Sequence, residues 1–421
     1  MSAPATERGR RPPVGSGAFY GWWIVAATFV IGFLVAGGTV NALGVLVKPI
    51  AESLDVGRAE LGAVVMVKLI VNALLSPWVG ALLATRSIRG IMLAGAVAMG
   101  LGLATAALAQ SLWPVYLGLG VLAGVASTAA LFLPCIALLS NWFTRLRGRA
   151  LGLATLGPTL SGAVIPVLLS LLVDDIGWRA SLLLAAAVAT VILLPVIWFF
   201  VLDRPQDCGQ LPDGDPDVPR TPEPESDETW TIRRAVRSRD VWLVVGTIGT
   251  ANFAVVAMLV HLIPYASDTG LSGERAALVF SVMTLMGALG GPLFGTLADY
   301  LSIKRLLIAS MLCQFAAVLL FAQLQGQLGL SLAAGTLGLG FGGLMPLVTL
   351  AVGRMFGVES LTRIMGLATP LSLLFYAPAA PLTGYLYDTE GNYELALQML
   401  LVAPLLAIAF LCFLKIPRAR D

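Results

Sequence analysis

GTLADYLSIKR (295–305) has a counterpart earlier in the chain, GALLATRSIRG (80–90), at an offset of 215 residues. A second pair, RALGLAT (149–155) and RIMGLAT (363–369), repeats at an offset of 214. In each half the first element follows the second long apolar run, and the second element opens the fifth. Two matches at nearly one offset predict a duplicated unit whose copies run in parallel, with a central cavity between them.

The composition says what kind of unit is duplicated. The chain has 421 residues, of which 58% are hydrophobic and 12% charged, with a mean hydropathy of +0.88. Soluble domains carry about 25% charged residues, so a chain this long and this apolar reads as a membrane protein. Crossing the hydrocarbon takes about 20 apolar residues. Twelve runs qualify: 21–47, 60–84, 88–109, 112–142, 149–173, 179–201, 240–266, 275–298, 304–323, 328–354, 363–387 and 393–414. The first run is too long for a signal-peptide core, and no cleaved leader is expected. The long polar segment at 203–240, rich in Pro, Asp and Glu, reads as a linker. The expected organisation is a disordered cytoplasmic N-terminus (1–18), a six-helix bundle (19–201), a cytoplasmic linker (202–238), a second six-helix bundle (239–415) and a short tail (416–421). The expected fold class is all-α, with twelve membrane helices in two pseudo-symmetric bundles.

Charge placement orients the chain. With the N-terminus inside, 21 of the 26 Lys and Arg residues fall on the cytoplasmic side, four (Lys48, Arg58, Arg179, Arg275) outside, and Lys68 within a span. That asymmetry predicts cytoplasmic termini in a multi-pass protein of the inner membrane. The net charge of +2 gives no argument for a nucleic-acid partner. The four cysteines have no metal or disulfide spacing and read as small buried hydrophobes. No P-loop, nucleophile–base pairing or metal-ligand spacing is visible, so neither an enzyme nor a metal or other cofactor is expected.

Gly295, Leu297, Ala298 and Asp299, followed by Lys304 and Arg305, form a G-x-L-A-D pattern with a basic pair. With the twelve spans and the central linker, it resembles the major facilitator superfamily from residue 19 to about 415. The resemblance implies a latch at the cytoplasmic ends of the halves, here Gly295, Asp299, Lys304 and Arg305, with Arg149 and Arg363 opening the fifth and eleventh helices. The first copy departs from the pattern, with Ala84 where the acid stands in the second. FYGWW (19–23), GVLVKPIAESLDVGRAELG (44–62), NWFTRLRGRALGLATLGPTLSG (141–162) and HLIPYASDTGLS (261–272) are similar to the monocarboxylate and oxalate/formate transporter branch. That branch places an aspartate and an arginine four residues apart on helix 8, before a proline. Here the matching positions are Gly287 and Gly291, ahead of Pro292. The cation expected to hold a carboxylate is missing there.

Lys68, in VVMVKLIVNALL (64–75), is the alternative cation. It lies about eight residues from the external end of its helix, about 12 Å deep, just short of the centre of a core about 30 Å thick. A lysine there costs roughly 3 kcal/mol. Two readings offset that cost: Lys68 attracts an anion, or it snorkels outward or donates to backbone carbonyls of helix 1 or 11. Asn72, one turn deeper, either orients a substrate oxygen or joins two helices. The resemblance implies that helices 1, 7, 10 and 11 line the cavity, which adds Asn41, Asn252, Phe341 and Tyr376 as candidates for substrate contact or packing. Lys48 and Tyr265 are candidates for the cavity mouth. His261 is the one histidine and the candidate for proton coupling, since no span holds an Asp or Glu near its middle.

The expected function is secondary transport of a small organic anion, a monocarboxylate, by alternating access with proton coupling. The partners are the anion, protons and the lipid bilayer, and one chain suffices as the working unit. Proton-driven export of drugs or metabolites is the alternative, to which the Gly157–Pro158 pair lends some support. A non-transporting sensor on the same scaffold lacks room for a signalling domain.

Overall fold

The computed structural model describes residues 19–144, 146–214, 232–298 and 300–416. The expected N-terminal disorder, most of the linker and the extreme C-terminus lie outside them, as does Asp299. Among the described residues, eleven helices are long and apolar enough to cross a membrane: α1 Gly21–Leu54, α2 Arg58–Leu83, α3 Ile88–Ala107, α4 Leu112–Trp142, the pair within Arg149–Phe200, then α7 Arg239–Asp268, α8 Gly273–Leu297, α9 Ile303–Gln323, α10 Gly326–Phe356, α11 Ile364–Glu390 and α12 Glu394–Phe413. Arg149–Phe200 has 52 residues, about 78 Å of helix, or more than twice the hydrocarbon thickness. It is interrupted at Gly177, whose φ of 79° and ψ of 159° are open essentially to glycine alone. The break divides it into α5 (149–176) and α6 (178–200), which makes the twelve expected spans.

The contacts between α1–α6 and α7–α12 follow the internal repeat. α2 packs on α11, α5 on α8, and α1 on α7. Exchanging each helix for its counterpart six along turns α2·α11 into α8·α5 and leaves α1·α7 unchanged. A twofold axis between the bundles requires that pattern. The repeat also recurs in detail. Arg89 at the start of α3 donates through Nε to Val201 O beyond α6, at 2.7 Å. Lys304 at the start of α9 donates through Nζ to Cys412 O and Leu414 O at the end of α12, both at 3.0 Å. In both halves a cation thus satisfies carbonyls that the end of a helix leaves free.

Helices α1 and α4 of the first half are irregular. α1 contains a π-helical turn over Gly37–Asn41, and α4 contains one over Tyr116–Leu122 and a break at Leu131. Such turns widen the backbone ladder and release carbonyls for other partners. Gly157–Pro158 has a packing role: a Cβ on Gly32 of α1 would lie 2.8 Å from the Pro158 ring of α5.

The two ends of the bundle differ. Every hydrogen bond and ion pair joining the halves among the described residues lies in the part nearer Arg58. There Gly62 of α2 packs against the backbone of Ala380, where a Cβ would stand 2.6 Å from the carbonyl carbon. Gly384 of α11 packs as closely on Arg58 and Ala59, at 2.5 Å. At the linker end, a Cβ on Gly152, Gly295, Gly353 or Gly366 meets nothing within 4 Å. Among the described residues, the halves meet closely at the Arg58 end, and these four glycines make no such approach at the linker end. Gly62→Leu has no space in this contact and is expected to part the halves at the Arg58 end in a protein that stays helical and monodisperse. The distance between spin labels across that end, beside circular dichroism, checks this, and an unchanged distance would refute it.

Candidate functional site

A cavity of about 410 Å³ lies between the halves. The first half contributes Lys68, Asn72, Ser76, Ser127 and Thr128 among apolar residues such as Val65, Leu69 and Phe132; the second half contributes Val256, Leu259, Val260, Pro370 and Leu373 with Thr369 and Tyr376. Lys68 is the one charged residue among those lining it. The side chain is 7% exposed, and Nζ donates to Thr39 O in the π turn of α1 at 2.7 Å. No carboxylate pairs with it among the described residues. Both readings of Lys68 therefore meet in one geometry: it donates to a carbonyl of α1, and it faces the cavity with two further N–H groups.

The neighbours form a polar cluster. The Ser127 hydroxyl contacts Thr39 Oγ1 at 3.2 Å and donates to Ala123 O at 2.6 Å. The Thr128 hydroxyl bonds to the side chain of Asn72, tying α4 to α2. Asn72 thus joins helices and lines the cavity at once. Tyr376 lines the opposite wall.

The other expected site residues lie elsewhere. Asn41 Nδ2 donates to Ser161 Oγ at 2.9 Å and joins α1 to α5 inside the first half. Asn252 donates to Ile248 O of its own helix at 2.7 Å. Phe341 packs against the main apolar core. None of these three lines the cavity. Tyr265, expected at a cavity mouth, donates to Phe321 O instead and is held on α9. A Cβ on Gly295, a residue of the implied latch, would meet nothing within 4 Å. Arg149 and Arg305 are exposed, and Lys304 holds α12 within its own half. Asp299 and the side chain of Arg363 lie outside what the structure describes.

Helix 8 explains why no cation comes from that side. Gly287 and Gly291 face α10, where Gly342 would place a Cβ against Gly287 and where Gly291 has Gly342 O at 3.4 Å from its own Cβ position. The positions of the expected Asp and Arg are a close crossing of two backbones, away from the cavity lining.

A second cluster, which the sequence did not announce, closes the Arg58 end. Arg58 is 7% exposed and donates to Asp268 at 2.6 Å and to the Tyr393 hydroxyl at 2.7 Å. Its guanidinium lies over the Tyr387 ring, 3.7 Å from the centroid. Asp388 accepts from the backbone N–H groups of Arg58 and Ala59 at 2.9 and 2.8 Å, capping α2 from the other half. Lys48 stands 3.7 Å from Asp268. His261, 1% exposed, sits behind the cluster: Nε2 is 2.9 Å from Ala380 O and Nδ1 is 3.1 Å from the Tyr393 hydroxyl. Ala380 O only accepts, so the neutral ring carries its proton on Nε2, and Nδ1 accepts from Tyr393. Burial by the surrounding aromatic residues pushes the Tyr393 hydroxyl far above its ordinary range, so it stays a donor.

The family model of the Major Facilitator Superfamily matches residues 28–377 and, in a second match, 265–421. Monocarboxylate transporter 11 of Mus musculus is 32% identical over 432 residues, covering 98% of this chain and 90% of that protein. The Homo sapiens protein of that name is 32% identical over 97% of this chain. Monocarboxylate transporter 13 of Bos taurus is 28% identical over 91% of this chain and 85% of its own length. In three dimensions the chain is similar to a bacterial homologue of the human lysosomal transporter Spinster, solved in an inward-facing and unoccupied conformation. The TM-score is 0.69 with 15% identity over 95% of both chains, a likeness of fold.

Proposed function

The chain belongs to the major facilitator superfamily, in its monocarboxylate-transporter branch, and from that premise we propose that it carries a small organic anion across the cytoplasmic membrane by alternating access. The observation that carries the reading is the single cation on the cavity wall, Lys68, with no acid paired to it among the described residues. A desolvated ammonium with free donors attracts a carboxylate, whose charge offsets the cost of burying the lysine. With the linker in the cytoplasm, closure at the Arg58 end and opening at the linker end make this the inward-facing form. The outward-facing form then requires the Arg58 cluster to part and Gly295, Arg149 and Arg363 to approach across the linker end, with Asp299 near them. One chain holds the cavity and both gates, so the working unit is a monomer.

Proton coupling runs through His261 in this reading. Neutral His261 accepts from Tyr393, which accepts from Arg58. A protonated ring has two donors and no acceptor, so Tyr393 can no longer donate to it, its hydroxyl proton must find another acceptor, and the new charge repels Arg58. Protonation from outside thus favours the open external gate until the bound anion adds its own charge. His261→Gln, which does not titrate, is expected to keep carboxylate exchange but lose the acceleration by an inward proton gradient. Proteoliposomes loaded at fixed internal pH measure it, and undiminished gradient-driven uptake would exclude His261.

The test of transport itself is uptake of labelled monocarboxylates into proteoliposomes of the purified chain. Saturable uptake above empty vesicles supports the reading, and none for any organic acid counts against it.

A further inference from the structure

The cavity sets one cation in a largely apolar lining, and that contrast specifies more than an anion. The first half supplies the cation and most of the polar side chains together with Val65, Leu69, Leu131 and Phe132, and the second half adds Val256, Leu259, Val260 and Leu373. We infer that the substrate is an amphiphilic monocarboxylate: its carboxylate lies at Lys68, and a branched or aromatic hydrocarbon body lies against the apolar side chains that both halves supply. This rests on the anion reading above and narrows it.

Three observations carry the inference. The cavity of about 410 Å³ holds on the order of a dozen waters, and a three-carbon acid would leave most of that space wet against apolar side chains. The lining has one positive charge and no acid. A second carboxylate therefore finds no partner, and neither does the ammonium of an amino acid, each an unpaired charge in a largely apolar site. Both halves also supply apolar side chains to the lining. A substrate that touches both draws them together, so the hydrocarbon body gains most of its burial as the cavity closes.

The closing experiment measures binding by the rise in thermal stability of the detergent-purified chain. The probes are acetate, lactate, 4-methylpentanoate, phenylacetate, succinate and phenylalanine. Each methylene buried against the apolar lining is expected to tighten binding about fourfold. Phenylacetate and 4-methylpentanoate should therefore bind at least tenfold more tightly than acetate or lactate, with succinate and phenylalanine weaker than either. Leu373→Ser should reduce phenylacetate binding about tenfold and leave acetate unchanged, whereas Lys68→Ala weakens both. Lys68-dependent binding of all monocarboxylates with no gain from the hydrocarbon body would overturn this inference and leave the anion reading standing. Tight binding of succinate or phenylalanine would also overturn it. Failure of every carboxylate to bind would overturn both.

Discussion

Lys68→Ala is expected to bind organic anions 10- to 100-fold more weakly than the wild-type chain while folding normally. The affinity loss follows from deleting a charge-assisted hydrogen bond in a desolvated site, about 1.5–3 kcal/mol. Folding is spared because the substitution also removes a lysine that costs roughly 3 kcal/mol to bury in the membrane. Thr39 O loses its partner, but water in the cavity replaces the ammonium. Lys68→Met keeps the stem and removes the charge, so it should match Lys68→Ala if charge is what matters. Calorimetric titration of the three proteins with phenylacetate checks the point. Equal affinities would mean that Lys68 serves only to hold the π turn of α1.

Arg58→Ala is expected to part the halves at the Arg58 end, which is the external gate in the proposed alternating access. In the closed form Arg58 is held by Asp268, Tyr393 and the Tyr387 ring, all from the other half. Removing it leaves Asp268 with Lys48 at 3.7 Å and the Tyr387 side chain and deletes the donor to Tyr393. Because Asp268 keeps some exposure to water, the penalty on the closed form is about 1–3 kcal/mol, well below that for a fully buried pair. A shift of that size changes the ratio of closed to open forms about 5- to 150-fold. Spin labels at Asp55→Cys and Glu390→Cys, both exposed and on opposite halves, report the gap directly. The wild type should show one short distance and Arg58→Ala a second, longer population. An unchanged distribution would mean that the glycine contacts at Gly62 and Gly384 hold this end closed without Arg58.

The fold was legible because membrane helices and a gene-scale repeat leave strong marks. The twelve runs are apolar on almost every position, and the repeat at 80–90 and 295–305 survives in the way Arg89 and Lys304 hold the ends of α6 and α12. Helix ends were less legible: α1 continues to Leu54 and α11 to Glu390, past the residues where hydropathy falls, because the helices continue beyond the hydrocarbon into the gate. Lys68 and Asn72 could be read as cavity residues because polar side chains in a span must be satisfied somewhere. Asn41 and Asn252 obeyed the same rule by bonding to Ser161 and to their own helix, and sequence alone does not say which side of a helix faces a partner. The gate was invisible for another reason. Arg58 at a helix end reads as a headgroup anchor, and its partners lie 210 and 335 residues away. Asp268 in HLIPYASD and the tyrosine–acid run YLYDTEGNYE (385–394) were the available signals.

Counterflow separates a carrier from a binding protein most directly. Proteoliposomes of the wild-type chain, loaded with unlabelled phenylacetate and placed in trace labelled phenylacetate, are predicted to accumulate label transiently above equilibrium, and Lys68→Ala vesicles to show little or none. Absence of overshoot in the wild type, or an equal overshoot in Lys68→Ala, would contradict a carrier that works through Lys68.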